Sequence, residues 1–380
     1  MVLLNVELDN ILLFNNFSLN LSYPKKIVGS AIEEEHLDGR KNFRYKKVII
    51  LMGANATGKT ALGKALRGIF NFIARREYAI ITELIEDPKK DASFSVDLAF
   101  PDYRLFRVET TFKSAGNKRI EYKSEDVSVR VKSVVINKND SYETCSDKLE
   151  MVEEQPFDNY VQALETIPFL TWKFEMPFAS NGMQNMIAPV IPDQYTMVLE
   201  QTLRVLDPRI ENIEQIKSAQ NTYIIRYRNH SVLIKDGVVM EADKLSSGTV
   251  EGIGIADLIT AMHSNVISFF FCDEKFSHVH SAVEKAFLSV MINMLKPNQQ
   301  IFFTSHNTDI CDMNIPLHSY ALLRRDEFDD NTVSCVFASD YLKKNTESLK
   351  NAVDNDVFSA TPNTDGIYAI VDLYPEVSHE

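Results

Sequence analysis

Basic residues are scarce beside acidic ones: 40 Lys and Arg stand against 53 Asp and Glu, for a formal net charge of −13. Such a chain does not hold nucleic acid through its overall field, because phosphate binding needs a positive footprint. DNA binding is therefore expected to be weak. Long hydrophobic runs are lacking too; none approaches the roughly 18–20 residues of a membrane helix. No membrane partner is expected. The opening stretch MVLLNVELDNILLFNNF has Glu7 and Asp9 inside it and no cationic start, which is not the pattern of a signal peptide. Cysteine occurs only at Cys145, Cys272, Cys311 and Cys335, and no pair has metal-ligand or redox spacing. Reduced thiols and a cytoplasmic location are the expectation. No internal repeat or low-complexity tract is visible. What remains is 45% hydrophobic, a soluble globular composition with enough apolar residues for a sizeable core.

Against this background one stretch stands out, KKVIILMGANATGKTALGKALRGIFNFIARR, from Lys46 to Arg76. The apolar run Val48 to Met52 predicts a buried strand. Gly53, Ala54, Asn55, Ala56, Thr57, Gly58, Lys59, Thr60 and Ala61 follow as a glycine loop. Leu62, Leu66, Ile69, Phe70 and Ile73 then share one helical face. Strand, glycine loop and helix are the context a phosphate-binding loop needs. Loop N–H groups and the helix N-terminus suit phosphate oxygens. Lys59 suits the charge on β- and γ-phosphates, and the Thr60 hydroxyl suits Mg²⁺. The expected ligands are ATP and Mg²⁺.

Three later segments bear on the same chemistry. In Leu245-Ser246-Ser247-Gly248-Thr249, Ser246 or Ser247 can cap a helix that buries Ile253, Ile255, Leu258 and Ile259. Val266 to Phe271 predicts a buried strand that ends beside the adjacent carboxylates Asp273 and Glu274. Ligand sites of α/β sheets lie at such strand ends. Ile301 to Thr304 predicts another strand, followed by Ser305 and His306. Each segment alone also fits an ordinary cap, strand end or surface histidine.

Taken in order, the four segments resemble the head of an ABC-type ATPase of the SMC and RecF class. Within it the chain is similar to the stand-alone abortive-infection ATPases of bacteria, relatives of the ATPase half of the overcoming-lysogenization-defect proteins. The Asn-Ala-Thr-Gly-Lys-Thr loop and the tail from Ser348 to Ala352 and Phe358 to Pro362 carry that likeness. It covers roughly Met1 to Phe112 and Asp236 to the C-terminus. The resemblance implies an α/β P-loop NTPase fold of ABC type: a mixed central sheet, an antiparallel β-meander and an inserted helical lid. It implies that Asp273 helps hold Mg²⁺, directly or through water, that Glu274 polarises the attacking water, and that His306 contacts the γ-phosphate. Ser246, Ser247 and Gly248 would close over the ATP of a second head, so a homodimer or higher oligomer with sandwiched ATP is expected. Ser247 stands where the family's signature usually has glycine. The glutamine of the usual Q-loop has no decisive position. The function implied is an ATPase switch that senses phage and controls a separate toxin or nuclease, with no nuclease fused to it. A RecF- or SMC-like DNA-repair ATPase is the alternative, and a transporter subunit a more distant one.

The expected organisation is a head half over 1–136, a helical insertion over 137–221 and a second head half over 222–380. Leu3 to Leu21 predicts two strands and Tyr23 to Phe43 an irregular loop; a helix is expected from Ile80 to Ile85. FSVDLAF, YRLFRVETTF and RIEYKSEDVSVRV alternate as a meander. From Asn137 to Gln220 the pattern is helical, with Tyr195, Val198, Leu199, Thr202, Leu203 and Leu206 on one face and a prolyl loop before them. Thr222 to Met240 predicts a hairpin. Lys113, Lys118, Arg119, Lys123, Arg130 and Lys132 read as the solvated face of the meander or a local basic surface. Asp326, Glu327, Asp329 and Asp330 read as a turn, with a metal cluster as the alternative. His278 and His280 read as part of the dimer interface rather than a metal pair.

Overall fold

The computed structural model describes residues 1–114, 121–153, 155–176, 192–219, 221–236, 238–325, 332–342 and 348–360. The chain opens with β1 (Val2–Asp9) and β2 (Phe17–Asn20), paired antiparallel. The next segment is not wholly irregular, because β3 (His36–Leu37) and β4 (Arg40–Arg44) form a small hairpin. Leu37 and Phe43 anchor it in the core, an apolar signal that the surrounding charges mask. β5 (Val48–Met52) then leads into α1 (Lys59–Arg75). The helix expected after it is a single turn, α2 (Ala79–Thr82), since Leu84 leaves the helix to accept a backbone bond from Leu12.

The meander is present as β6 (Ala92–Ala99), β7 (Arg104–Phe112) and β8 (Val127–Val135). Its third strand starts later than the alternation suggests, after a 3₁₀ turn at Ser124–Asp126. With β1 and β2 it makes one antiparallel sheet in the order β2-β1-β6-β7-β8. Arg130 pairs with Glu109 and Lys123 with Glu125, so these basic groups are offset by neighbours. Lys118 and Arg119 lie outside the described residues, as do Asp326, Glu327, Asp329 and Asp330.

The segment 137–221 holds helices but is not purely helical. α3 (Tyr142–Met151) and α4 (Tyr160–Glu165) are followed by a strand, β9 (Trp172–Glu175). α5 (Pro192–Leu206) and β10 (Ile210–Gln215) complete it. The prolyl loop over 177–191 lies outside the described residues. β10 joins β11 (Thr222–Tyr227), β12 (Ser231–Lys235) and β13 (Val238–Val239) in a small antiparallel sheet. Tyr195, Leu199 and Leu203 of α5 bury against Ile213, Ile225 and Ile234 of that sheet.

The remainder is α6 (Ser247–His263), β14 (Phe269–Asp273), α7 (Ser281–Met294), β15 (Gln300–Thr304), β16 (Tyr320–Arg325), β17 (Val333–Phe337), α8 (Ala338–Tyr341) and α9 (Leu349–Asp354). The central sheet runs β17-β16-β5-β15-β14-β9 and is parallel except at β17. β9 is therefore an edge strand of this sheet, paired parallel with β14. Its polar residues hid it: Lys173 is buried because it meets Asp257 of α6 and Glu175.

Every residue of β5, β14 and β15 is buried, as both faces of a parallel sheet are covered. Ile49, Leu51, Phe271 and Phe302 face α1, while Ile50, Phe270, Ile301 and Phe303 face α6 and α7. α1 lies between the two large sheets. Phe70 meets Phe269 of the central sheet at 5.0 Å between ring centroids, and Phe72 meets Phe94 of the meander at 5.9 Å. Truncating either ring would cost about 3–5 kcal/mol by the usual cost of a core cavity. A Cβ on Gly63 would lie 2.7 Å from Phe271, so only glycine lets α1 approach β14 this closely.

Candidate nucleotide site

The central sheet brings the ends of β5, β14 and β15 side by side. The loop after β5 turns sharply at Gly53, whose φ is 145° and whose Cβ, if present, would lie 2.4 Å from the Leu323 carbonyl oxygen. Gly58 takes φ 108° and begins α1, and Ala56 also has positive φ, at 62°. The buried Thr57 hydroxyl donates to the Ala54 carbonyl at 2.9 Å and closes the loop on itself. Asn55 and Ala56 form its exposed crest, while Thr60 and Ala61 are half-buried. The Ala54 N–H donates to the carbonyl of Ala360 at 2.8 Å, so the chain after α9 braces the loop from outside.

Lys59 is almost wholly buried and its ammonium donates to the carbonyls of Gly53 at 2.8 Å and Ala54 at 3.0 Å. Burial pushes it below the usual lysine range, while Glu274 and Asp273 oppose that shift. A buried ammonium of this kind gains from an anion at the loop. The first turn of α1 carries no acidic side chain, so its N-terminal dipole favours the same charge.

Asp273 ends β14 beside Thr304 of β15, its partner in register. The Thr304 hydroxyl donates to Asp273 Oδ1 at 2.7 Å and accepts the Glu274 N–H at 2.9 Å. Burial raises the Asp273 carboxyl above its ordinary value; Thr304 and Thr60 pull it down. Its second oxygen, Oδ2, is buried and has no complete hydrogen bond. A sealed carboxylate oxygen with the Thr60 hydroxyl at the same group is a hard-oxygen donor set, which fits Mg²⁺. Glu274 sits in the left-handed region at φ 47°, an unusual conformation for glutamate. That turn carries its Oε1 to 2.7 Å from His306 Nε2, and both side chains are partly open to solvent.

Several of these groups border one open cavity of about 780 Å³, lined by Gly58, Lys59, Thr60, Ala61, Glu274 and His306 among others, while Gly53 and Ala54 line a neighbouring cavity and Asp273 is buried. The sequence did not point to several further walls: Leu12 and Leu13 from the β1–β2 turn, Leu84 and Ile85, and Arg325 at the end of β16. Leu12 has φ 52° and its N–H is held by the Leu84 carbonyl at 2.7 Å. A leucine at positive φ in a turn is visible only once the turn is folded.

Ser246, Ser247 and Gly248 do not line this cavity. Ser246 caps α6, its Oγ accepting the Thr249 N–H at 3.1 Å, which settles the choice between the two serines. Ser246 and Ser247 are exposed; Gly248 is buried, with room for a Cβ only 3.3 Å from the His278 carbonyl oxygen. His278 meets Glu251 of α6 at 2.7 Å and His280 caps α7. β9, beside β14, ends in Glu175 and Met176, so the described part of that edge offers no glutamine. All four cysteines are free, and among the described residues no helix is long and apolar enough to cross a membrane.

Solved structures share this fold at low identity. An SMC head bound to the C-winged helix domain of ScpA superposes with a TM-score of 0.51 at 12% identity, over 93% of this chain and 100% of that one. An SMC head with an extended coiled coil from Pyrococcus furiosus gives 0.47 at 10%, over 93% and 98%. The recombination mediator RecF bound to an ATP analogue gives 0.42 at 10%, over 88% and 98%. The first supports an α/β P-loop ATPase head with a mixed sheet. No curated protein matches the chain in sequence. One family model matches residues 48–312, from the strand before the glycine loop to the turn after His306, and the chain belongs to that family, described as "AAA domain, putative AbiEii toxin, Type IV TA system".

Proposed function

We propose that this chain is an ATP-binding and ATP-hydrolysing switch that works as a homodimer, or a larger assembly of such pairs. The observation that carries the reading is a divided site. Lys59, Thr60, Glu274 and His306 line one cavity with Asp273 buried beside them, whereas Ser246 and Ser247 at the start of α6 are exposed and outside it. The loop from Gly53 to Ala61 holds the phosphates, and Lys59 offsets the charge on β and γ. Thr60 and Asp273 hold Mg²⁺, which when bound draws charge from the phosphate oxygens. Glu274 orients a water whose oxygen bonds to the γ-phosphorus as the bond to the β–γ bridging oxygen breaks. His306 contacts the γ-phosphate. Ser246, Ser247 and Gly248 close over the ATP of the partner subunit, with the α6 dipole toward its γ-phosphate. Loss of that phosphate removes the contacts that favour the closed pair.

Glu274→Gln tests this directly. Hydrolysis should fall by about 100-fold or more, as for loss of a water-orienting base. ATP should stay bound, and light scattering should show dimers only with ATP. A variant with normal turnover, or one that stays monomeric with bound ATP, overturns the proposal.

The finer reading is a regulatory ATPase of an anti-phage system with a separate toxin or nuclease effector; the family description, which names a toxin of a TA system, and the net charge of −13, which disfavours the DNA-repair alternative, are its support. Bacteria carrying the chain with its neighbouring gene should resist phage, and the Lys59→Ala version should not. Equal plaque counts with and without the wild-type pair would remove the defence role and leave the ATPase. Tight DNA binding that survives about 0.3 M salt would favour a repair clamp instead.

A further inference from the structure

Between the divided halves of the site lies a buried carboxylate that the hydrolytic scheme leaves unused. Glu284, in the first turn of α7, is 4% exposed. Its Oε1 accepts the Ser305 hydroxyl at 2.7 Å and its Oε2 accepts the Asn307 amide at 2.7 Å. These are the two chain neighbours of His306. Ser305 Oγ in turn accepts the Asn307 N–H at 2.9 Å, and Asn307 Oδ1 accepts the Asp309 N–H at 3.0 Å. One helical turn before Glu284, Ser281 Oγ donates to Asp309 Oδ2 at 2.8 Å. The start of α7 therefore grips the loop on both sides of His306, while His306 itself points to Glu274 at 2.7 Å.

We propose that Glu284 is a positioning residue: by binding Ser305 and Asn307 at once it holds His306 at the reacting end of the cavity. The proposal rests on His306 being the γ-phosphate contact. Two charge-assisted bonds to one buried carboxylate are stronger and more directional than neutral ones. They also tie the histidine to α7, the helix that directly follows the loop from Lys275 to His280 against which Gly248 packs. A shift of that loop reaches His306 through Glu284.

The hydrogen-bond polarity offers a selective test. In Glu284→Gln one acceptor replaces two: with the carboxamide oxygen turned to Asn307, the Ser305 hydroxyl is left without an acceptor, and with it turned the other way the oxygen still accepts from Ser305. Its NH₂ then faces the NH₂ of Asn307, which cannot turn over without losing the Asp309 N–H. Adding Asn307→Asp restores an acceptor on both sides: one oxygen for the Gln NH₂, the other for Asp309. Glu284→Gln should lower kcat about 10-fold, because small misplacement of a reacting group costs factors of this size or more. The affinity for ADP, which lacks the phosphate that His306 contacts, should change less than about two-fold. The E284Q/N307D pair should recover kcat to within about three-fold of wild type.

His306→Ala is measured beside them. If it leaves kcat unchanged, the reading of His306 fails. If it lowers kcat about 100-fold while Glu284→Gln does nothing, the positioning role fails and the His306 reading stands. A Glu284→Gln loss that the pair does not recover also overturns the proposal, since it marks a general structural defect. Should Glu284→Gln not fold, Ser305→Ala and Asn307→Ala each delete one bond, and unchanged kcat in both overturns the positioning role as well.

Discussion

The cluster around Lys59 and the exposed end of α6 are built on opposite principles. The first stores uncompensated polarity. Asp273 Oδ2 is buried without a complete hydrogen bond, the Lys59 ammonium is desolvated against two carbonyls, Glu274 holds a backbone conformation that costs energy, and Gly53 holds one that glycine alone takes freely. The second is finished in itself. Ser246 satisfies its own helix through Thr249, and its neighbour Ser247 is open to solvent. Strain at one end and local satisfaction at the other imply different sensitivities. Changes near Lys59 should alter both stability and nucleotide chemistry. Changes at Ser246 should cost the cap of α6, about 1 kcal/mol, and leave nucleotide binding by the single chain intact, altering chemistry only in the assembled pair.

The largest expected effect is that of Lys59→Ala. Removing the ammonium that the loop encloses should weaken ATP by about 30- to 150-fold, the cost of two to three kcal/mol of charged hydrogen bonds. Isothermal titration reads this, and unchanged affinity would erase the contrast by showing that nucleotide does not bind here.

Next comes the division itself. Lys59→Ala and Ser246→Arg chains should each be inactive alone. Mixed in equal amounts, about half the dimers are mixed and each carries one intact composite site. Activity should return to about a quarter of wild type for a two-fold symmetric pair. No recovery, with heterodimers seen by mass spectrometry, would show that the α6 end acts in its own chain or that both sites must fire together. The structure of the Glu274→Gln protein with ATP separates these two.

A smaller effect, confined to the strained end, is expected from Gly53→Ala. At φ 145° and with a Cβ 2.4 Å from the Leu323 carbonyl oxygen, the loop must shift. A cost of about 1–3 kcal/mol follows, visible as a lowered Tm together with weaker ATP binding. A melt identical to wild type would show that the loop carries no strain.

The smallest effect sharpens the contrast by its sign. The Asp273 carboxyl is raised above 3.8 in the folded chain, chiefly by burial. Its charge is thus more costly folded than unfolded. The stability linked to this group is present below the unfolded value and is lost as pH rises through the folded one. Asp273→Asn should stabilise the nucleotide-free protein at neutral pH, read as a raised Tm, and flatten this part of its pH dependence. It should also lose Mg²⁺-dependent hydrolysis. A fall in Tm would mean that the carboxylate is better compensated than its burial suggests.

Much of this was legible along the chain. Val48 to Met52 had to be a strand buried on both faces, because consecutive apolar residues precede a loop only glycine can turn. The face of Leu62, Leu66, Ile69 and Phe70 had to be a helix packed on one side. Asp273, Glu274 and His306 could be named because each follows an apolar run that places it at a strand end. Such features depend on backbone preferences and on neighbours within one turn or one strand, and these are covalently close.

Other features belong to the tertiary structure alone. β9 looked like part of a helical insertion because Lys173 and Glu175 interrupt its apolar pattern; their partners Asp257 and Lys275 lie far along the chain. Leu12 and Leu13 fall within the stretch expected to form two strands, yet they wall the cavity because β1 and β2 turn beside the glycine loop. Glu284 carries no signal along the chain, and its partners appear only where the fold lays α7 on Ser305 and Asn307. In each case the residue's environment comes from segments distant in sequence. Local pattern sets what a segment can become; which polar groups meet in the interior is decided by how the sheet and helices pack, since only burial makes an unpartnered charge costly enough to select its neighbour.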